Sequence, residues 1–319
     1  MTVKVYITID TEEDNWGEFH RNCSVENIER LPALQSLFDK YSAIPTYLIN
    51  YPVATTPSSI KILSEFEQKG VCEIGTHCHP WNTPPFTEEL SAENSMMCNL
   101  PYDLLIEKLT NLHNKIIENF GITPSSFRAG RWGFNNDVAR CLTELNYKVD
   151  TSISPFVDWS MYHGPNFRGS ETHQYFIDSN NIKQVRDHGD LLEVPPTIGY
   201  LQSNFSLCDS LLYSLKRKPF SKLGIAGLFD KLNLINFHWL SPELSNGPEM
   251  VALAKRFIKS GHNFLNMSFH STSLLPGKSP FVRNEADLQI FLNKIETFLQ
   301  YALENNFEFS GISDARKDL

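Results

Sequence analysis

The sequence predicts an α/β chain folded as one distorted (β/α)7 barrel. Three observations predict it. Short apolar, β-branched strands alternate with amphipathic helices along the whole chain, and polar residues collect where strands end. A chain of 319 residues, 41% of them hydrophobic, also has enough apolar surface for one large core. No charge shift, low-complexity run or internal repeat marks a boundary, so residues 1–319 are expected to form a single domain. The stretch from Pro155 to Asp190 is polar and weakly periodic, and is expected to cross the barrel mouth as a long excursion at about 155–190.

The elements follow in order. Val3 to Ile9 alternates as a strand and runs into the acidic stretch Asp10-Thr11-Glu12-Glu13-Asp14. Val25, Ile28, Leu31, Leu34, Leu37 and Phe38 recur at helical spacing, with Ser24 as the expected N-cap. Ile44 to Asn50 reads as a second strand, and Ile60, Leu63 and Phe66 mark a helix that stops at Gly70. The strand Val71–Gly75 leads into Thr76-His77-Cys78-His79-Pro80-Trp81. After the loop containing Pro84 and Pro85, a long amphipathic helix carries Leu105, Leu109, Leu112, Ile116 and Phe120 and ends at Gly121. Strands are expected at 126–129, 147–152, 191–194, 232–237, 264–269 and 307–310, with helices at 137–145, 248–260 and 285–304.

A net charge of −9 gives no basic footprint for nucleic acid. Acidic residues interrupt the first apolar run before a signal-peptide core or a membrane span forms, which predicts a cytoplasmic protein without a span. Six cysteines scattered without a CxxC pair fit reduced thiols. Nothing in the pattern speaks to the number of subunits.

In β/α barrels the chemistry sits at the C-terminal ends of strands, and five groups fall there. Asp10 and Glu12, spaced i, i+2, reach toward one site, whereas Glu13 and Asp14 read as solvated. His77 and His79 repeat that spacing, and two imidazoles with a carboxylate form a catalytic metal ligand set that leaves a position for water. Cys78 between them is expected to face the wall. Arg128, followed by Ala129-Gly130-Arg131-Trp132-Gly133, can pair with a buried carboxylate before a tight turn. Asp150 enters a turn. His270 ends a late apolar strand, where an imidazole suits general acid work. The remaining histidines read as structural, with His238 beside Trp239 a candidate for lining a sugar site.

With these pieces in this order, the sequence resembles the polysaccharide deacetylase family, carbohydrate esterase family 4, from Thr8 to about Ser271. It looks nearest to the intracellular branch of lipopolysaccharide and exopolysaccharide biosynthesis. The resemblance implies a distorted barrel and a catalytic domain over 1–319. The family's Thr-Phe-Asp-Asp motif falls on Thr8, Ile9, Asp10 and Thr11, so Asp10 is the implied base, and Glu12 replaces the second aspartate as metal ligand. The family's i, i+4 histidine pair falls on His77 and Trp81, and His79 takes over as second ligand. Arg128 is the implied orienter of Asp10, with Gly130 at a proline position, and the Arg131 N–H donates to the oxyanion. Asp150, or secondarily Asp158, tunes His270 as the acid. Trp81 and Trp132, with Trp16 and Trp159, are candidates for stacking on sugar faces.

The implied reaction is metal-assisted hydrolysis of an N-acetyl group on an amino sugar or glycan precursor, with zinc first and cobalt or nickel as alternatives. Two other readings stay open: an allantoinase-like hydrolase of another C–N bond on the same barrel, and a catalytically silent glycan-binding protein that has lost its metal. Nucleic acid is not an expected partner.

Overall fold

The computed structural model of the chain describes residues 2–14, 16–216, 225–232 and 234–318. Its strands in chain order are β1 (Lys4–Thr11), β2 (Pro45–Ile49), β3 (Glu73–Cys78), β4 (Ser126–Ala129), β5 (Val149–Asp150) and β6 (Tyr175–Asp178). They continue with β7 (Asn181–Arg186), β8 (Leu192–Glu193), β9 (Ile198–Tyr200), β10 (Phe237–Trp239), β11 (Phe264–His270) and β12 (Glu308–Phe309). The helices are α1 (Leu31–Lys40), α2 (Tyr51–Thr55), α3 (Pro57–Gln68), α4 (Tyr102–Phe120), α5 (Asn136–Glu144), α6 (Phe205–Lys216), α7 (Ile225–Lys231), α8 (Gly247–Lys259) and α9 (Glu285–Glu304).

Among the described residues, seven strands run parallel side by side in the order β11-β1-β2-β3-β4-β5-β8. This is the wall of the expected (β/α)7 barrel. The antiparallel ribbon of β9 and β10 lies along β11. There the Thr197 N–H donates to the Asn266 carbonyl at 3.0 Å, and the Ser268 N–H donates to the Leu240 carbonyl at 3.1 Å. The far edge of β8 carries β6 instead of a strand leading on to β11, and that is the distortion.

Local chemistry explains the helices. Alternate apolar faces pack Leu105, Leu109, Leu112 and Ile116 of α4, and Phe291, Ile295, Phe298 and Leu299 of α9, against the outside of the wall. Helix α4 ends where Gly121 takes φ 70°, a left-handed turn that costs glycine least. Asn246 and Glu249 close a reciprocal capping box on α8, and Asn284 caps α9.

Four expectations are corrected. Ser24 does not cap the helix after it; its hydroxyl donates to Asp14 at 2.7 Å, and the Asp14 carboxylate itself accepts from the Glu26 and Asn27 N–H groups at 2.8 and 3.0 Å. The expected strand at 232–237 is displaced to β10, because Leu232 closes α7; Asn233 lies outside the described residues. Strand β5 is shorter than 147–152. The excursion is only partly a mouth loop: Trp159 and Tyr162 face the cleft, but β6 pairs antiparallel with β8, and β7 pairs antiparallel with β6 at the sheet edge. Strand β7 alternates poorly because five of its six residues are exposed, so the ribbon left no period-2 signal.

Candidate metal and acid–base centre

The parallel register sets the geometry. It places Asp10 of β1 beside His270 of β11, and His77 of β3 beside Arg128 of β4, with all four at the C-terminal end of the wall. A cleft of about 480 Å³ opens there, lined by these residues, by Glu12, Glu13 and His79, and by an aromatic belt.

Glu12, His77 and His79 converge. The two Nε2 atoms lie 3.0 Å apart, and Glu12 Oε2 is 3.4 Å from that of His77 and 3.3 Å from that of His79. The second nitrogen of each ring decides what these atoms are. His77 Nδ1 lies 3.0 Å from the Arg128 carbonyl, which only accepts, so this nitrogen must carry the proton. His79 Nδ1 faces both oxygens of Glu13 at 3.1 Å and is likewise the donor. In the neutral rings both Nε2 atoms therefore present lone pairs, and burial lowers the pKa of His77, favouring its neutral form. Burial pushes the Glu12 carboxyl up to about 8, a penalty on its charge that a cation would offset, and with Glu12 ionised three acceptors face one another without a hydrogen between them, which fits a cation. Their edges of 3.0–3.4 Å suit the roughly 3.4 Å that four-coordinate bonds of about 2.0–2.1 Å imply.

Glu13 was expected in solvent and is instead 3% exposed. Besides His79, it accepts from Trp81 Nε1 at 3.0 Å and from Asn50 Nδ2 at the end of β2. Burial raises its pKa, but His79 outweighs that and the carboxylate ends below its usual value. Asp14 is buried too, holding the turn before α1. Trp81, expected to hold sugar, stacks on His79 at 4.1 Å and meets Phe19 at 5.1 Å, so its faces are occupied by protein. It buttresses the ligand shell.

Gly130 explains why the second histidine can sit two residues after the first. A Cβ at Gly130 would lie 2.3 Å from His79 Cδ2 and 2.5 Å from the Cys78 carbonyl. No side chain fits where His79 now packs. The glycine and the histidine are thus sterically linked. Cys78 faces the core, as expected from alternation.

The second group centres on Arg128, which is 1% exposed. Its Nη1 donates to Asp10 Oδ1 at 2.6 Å, Nη2 to Thr8 Oγ1 at 2.6 Å, and Nε to the Thr151 carbonyl at 3.0 Å, so it clamps three strand ends. Burial pushes the Asp10 carboxyl up, but Arg128, then His77 and His270, pull it down to about 2. Asp10 Oδ2 stands 3.6 Å from His270 Nε2. His270 Nδ1 meets Glu243 Oε2 at 2.9 Å, and although burial opposes its charge, Glu243, followed by Glu12 and Asp10, raises its pKa to about 10.

Asp150 is therefore not the partner of His270. It is fully buried beside Glu193 and accepts from the Ser152 N–H and hydroxyl, and burial raises both carboxyls, Glu193 the more. Asp158, the second choice, accepts from the Ser160 N–H in the excursion. Glu243 was missed because it lies in the loop after β10, 27 residues from His270, and the displaced strand boundary hid that loop end.

Arg131 and Trp132 adopt φ 55° and 62°, two consecutive left-handed non-glycine residues, each costing about 1–2 kcal/mol. The strain turns the chain at the cleft edge. Trp132 stacks parallel to Trp159 with centroids 6.4 Å apart, meets Trp239 edge-on at 5.6 Å, and covers the Arg128 guanidinium. Trp16 packs edge-on to His270 at 4.5 Å. Trp239 faces the cleft, but its neighbour His238 points away toward Ser245.

No protein-family model and no curated protein matches the chain. Solved structures do. One from Mycobacterium smegmatis, provisionally classed as a polysaccharide deacetylase, is 15% identical, with a TM-score of 0.52 over 100% of this chain and 91% of the other. One from Parabacteroides distasonis, provisionally classed as a glycoside hydrolase/deacetylase, is 12% identical, with a TM-score of 0.59 over 99% of this chain and 71% of the other. A 4-alpha-glucanotransferase from Thermococcus litoralis is 9% identical, with a TM-score of 0.50 over 99% of this chain and 38% of the other. At such identities the likeness shows the fold, and the glucanotransferase illustrates that one fold carries different chemistries.

Proposed function

We propose that the chain is a metal-dependent carbohydrate N-deacetylase of the carbohydrate esterase family 4 kind, which hydrolyses an N-acetyl group on an amino sugar or glycan precursor. The triangle of Glu12 Oε2 and the two histidine Nε2 atoms, three lone pairs facing one another, carries this reading. A divalent cation of the zinc, cobalt or nickel type held by these three atoms would supply carbonyl polarisation and a water of lowered pKa.

The chain's own residues supply the rest. Asp10, kept ionised by Arg128, accepts the proton of the attacking water, and only transiently, because the guanidinium favours its charged form. His270, kept charged by Glu243, donates to the leaving sugar nitrogen. Arg131 offers its backbone N–H to the developing oxyanion from the strained turn. Trp132, with Trp159 and Trp239, forms the apolar wall for a sugar ring. The biosynthetic branch belongs to the same proposal and rests on motif order. No described helix is long and apolar enough to cross a membrane.

The test measures metal content and acetate release from N-acetylglucosamine oligomers for the wild type and His79→Ala. About one metal per chain and acetate release, both lost in the variant, are expected. A metal-free wild type that binds glycan without releasing acetate overturns the enzyme in favour of a binding protein, and cleavage of a cyclic amide instead favours the allantoinase-like reading.

A further inference from the structure

Nearly every charged group that lines the cleft has its partner inside the protein. Asp10 takes Arg128, Glu243 takes His270, Glu13 takes His79 and Trp81, and Glu18 takes His20 at 3.0 Å. Glu12 faces the two imidazoles. Arg131 is the exception. Its guanidinium has no carboxylate partner among the described residues: Nη1 donates to the neutral Ser95 hydroxyl at 2.5 Å, and Cζ sits 4.9 Å over the Phe19 ring. The group is half-buried in the cleft, so it has given up part of its hydration without an anion in return. An arginine has five N–H donors in a fixed fork, and one bond to serine leaves most of them for a ligand.

The position of the fork is also fixed. Gly130 is wedged against His79, Arg131 and Trp132 hold the left-handed turn, and Phe19 and Ser95 brace the side chain from the facing loops. The guanidinium is thus held at the edge of the same cleft that the aromatic belt lines.

We propose that Arg131 is a specificity-determining residue that binds an anionic substituent of the substrate, a carboxylate or a phosphate, and that the glycan acted on is an acidic one. The inference rests on reading the cleft as the sugar site. A planar fork over an aromatic ring suits bidentate capture of either anion. A purely structural arginine, held only by Ser95 and Phe19, would make no distinction between charged and neutral sugars.

The test uses the full-length protein, metal-loaded and chelated, with binding read by quenching of cleft tryptophan fluorescence. The probes are N-acetylglucosamine, its 6-carboxylate and its 6-phosphate, against wild type, Arg131→Lys and Arg131→Gln. One anionic probe should bind the wild type about tenfold or more tightly than the neutral sugar, an advantage that Arg131→Gln removes. Arg131→Lys should keep part of it. The carboxylate and phosphate arms tell which anion is meant, and chelation separates capture by the arginine from capture by the metal. Equal binding of charged and neutral probes by the wild type overturns the proposal, as does an equal loss for all probes in Arg131→Gln. Acetate release is recorded alongside: anion preference without release keeps the subsite and removes the deacetylase reading, and release without preference does the reverse.

Discussion

The two halves of the cleft solve opposite electrostatic problems. At Glu12, His77 and His79 three acceptor atoms crowd together, and the protein spends its protons on the far side of each ring, toward the Arg128 carbonyl and Glu13. At Asp10 and His270, in the same cleft, each charge already has a buried counter-charge, Arg128 for one and Glu243 for the other. On the proposed reading the first half takes a cation, whereas the second has its charges paired within the protein. Ligand side chains and proton-transfer side chains on neighbouring strand ends should therefore respond differently to the same kind of neutralising substitution.

The largest separation is expected from Asp10→Asn. Asparagine keeps an acceptor for Arg128 but no longer takes a proton, so turnover should fall by about a thousandfold while metal content stays at the wild-type level. Metal analysis beside acetate release checks this, and loss of metal from Asp10→Asn with retention in Glu12→Gln would exchange the two roles.

Gly130→Ala sharpens the contrast from the other side. The new Cβ meets His79 at 2.3 Å, so the ring must move and metal affinity should fall by about a hundredfold, while Asp10 and His270 keep their places. Competition with a chromogenic chelator measures the affinity, and circular dichroism confirms the fold. Unchanged affinity would mean that His79 is not a ligand. Glu13→Gln acts one bond further out: it loses the carboxylate that fixes the His79 proton, and an affinity loss of about tenfold is expected.

The smallest expected effect tests the completed half. On the proposed reading His270 acts protonated, and Glu243 overcomes burial to lift its pKa to about 10, so the acid form is lost only as pH rises through that value. Glu243→Gln lowers the pKa, and the alkaline limb of the pH–rate profile should move down by about one unit or more with metal content unchanged. A limb that stays in place would assign it to another group.

The residues that could be read in advance share one property: their placement is a local matter. A strand alternates with period two and ends at its polar residues, so Asp10, Glu12, His77, His79, Arg128 and His270 were legible as strand-end groups, and so was the barrel that gathers them. Helix α9 was legible to its ends because caps and amphipathic spacing are also local. What stayed hidden depends on distances across the barrel. Asp150 ends a two-residue strand and Glu243 lies in a loop, and only the folded wall shows that one is buried with Glu193 while the other meets His270. Glu13 looks like any solvated acid until β2 and β3 bring Asn50, His79 and Trp81 around it. The sequence by itself determined the class of fold and the stock of chemical groups at the strand ends. The tertiary structure decided which carboxylate meets His79 and which meets His270, because that choice rests on contacts of a few ångströms between residues tens to hundreds of positions apart, and no local period encodes them.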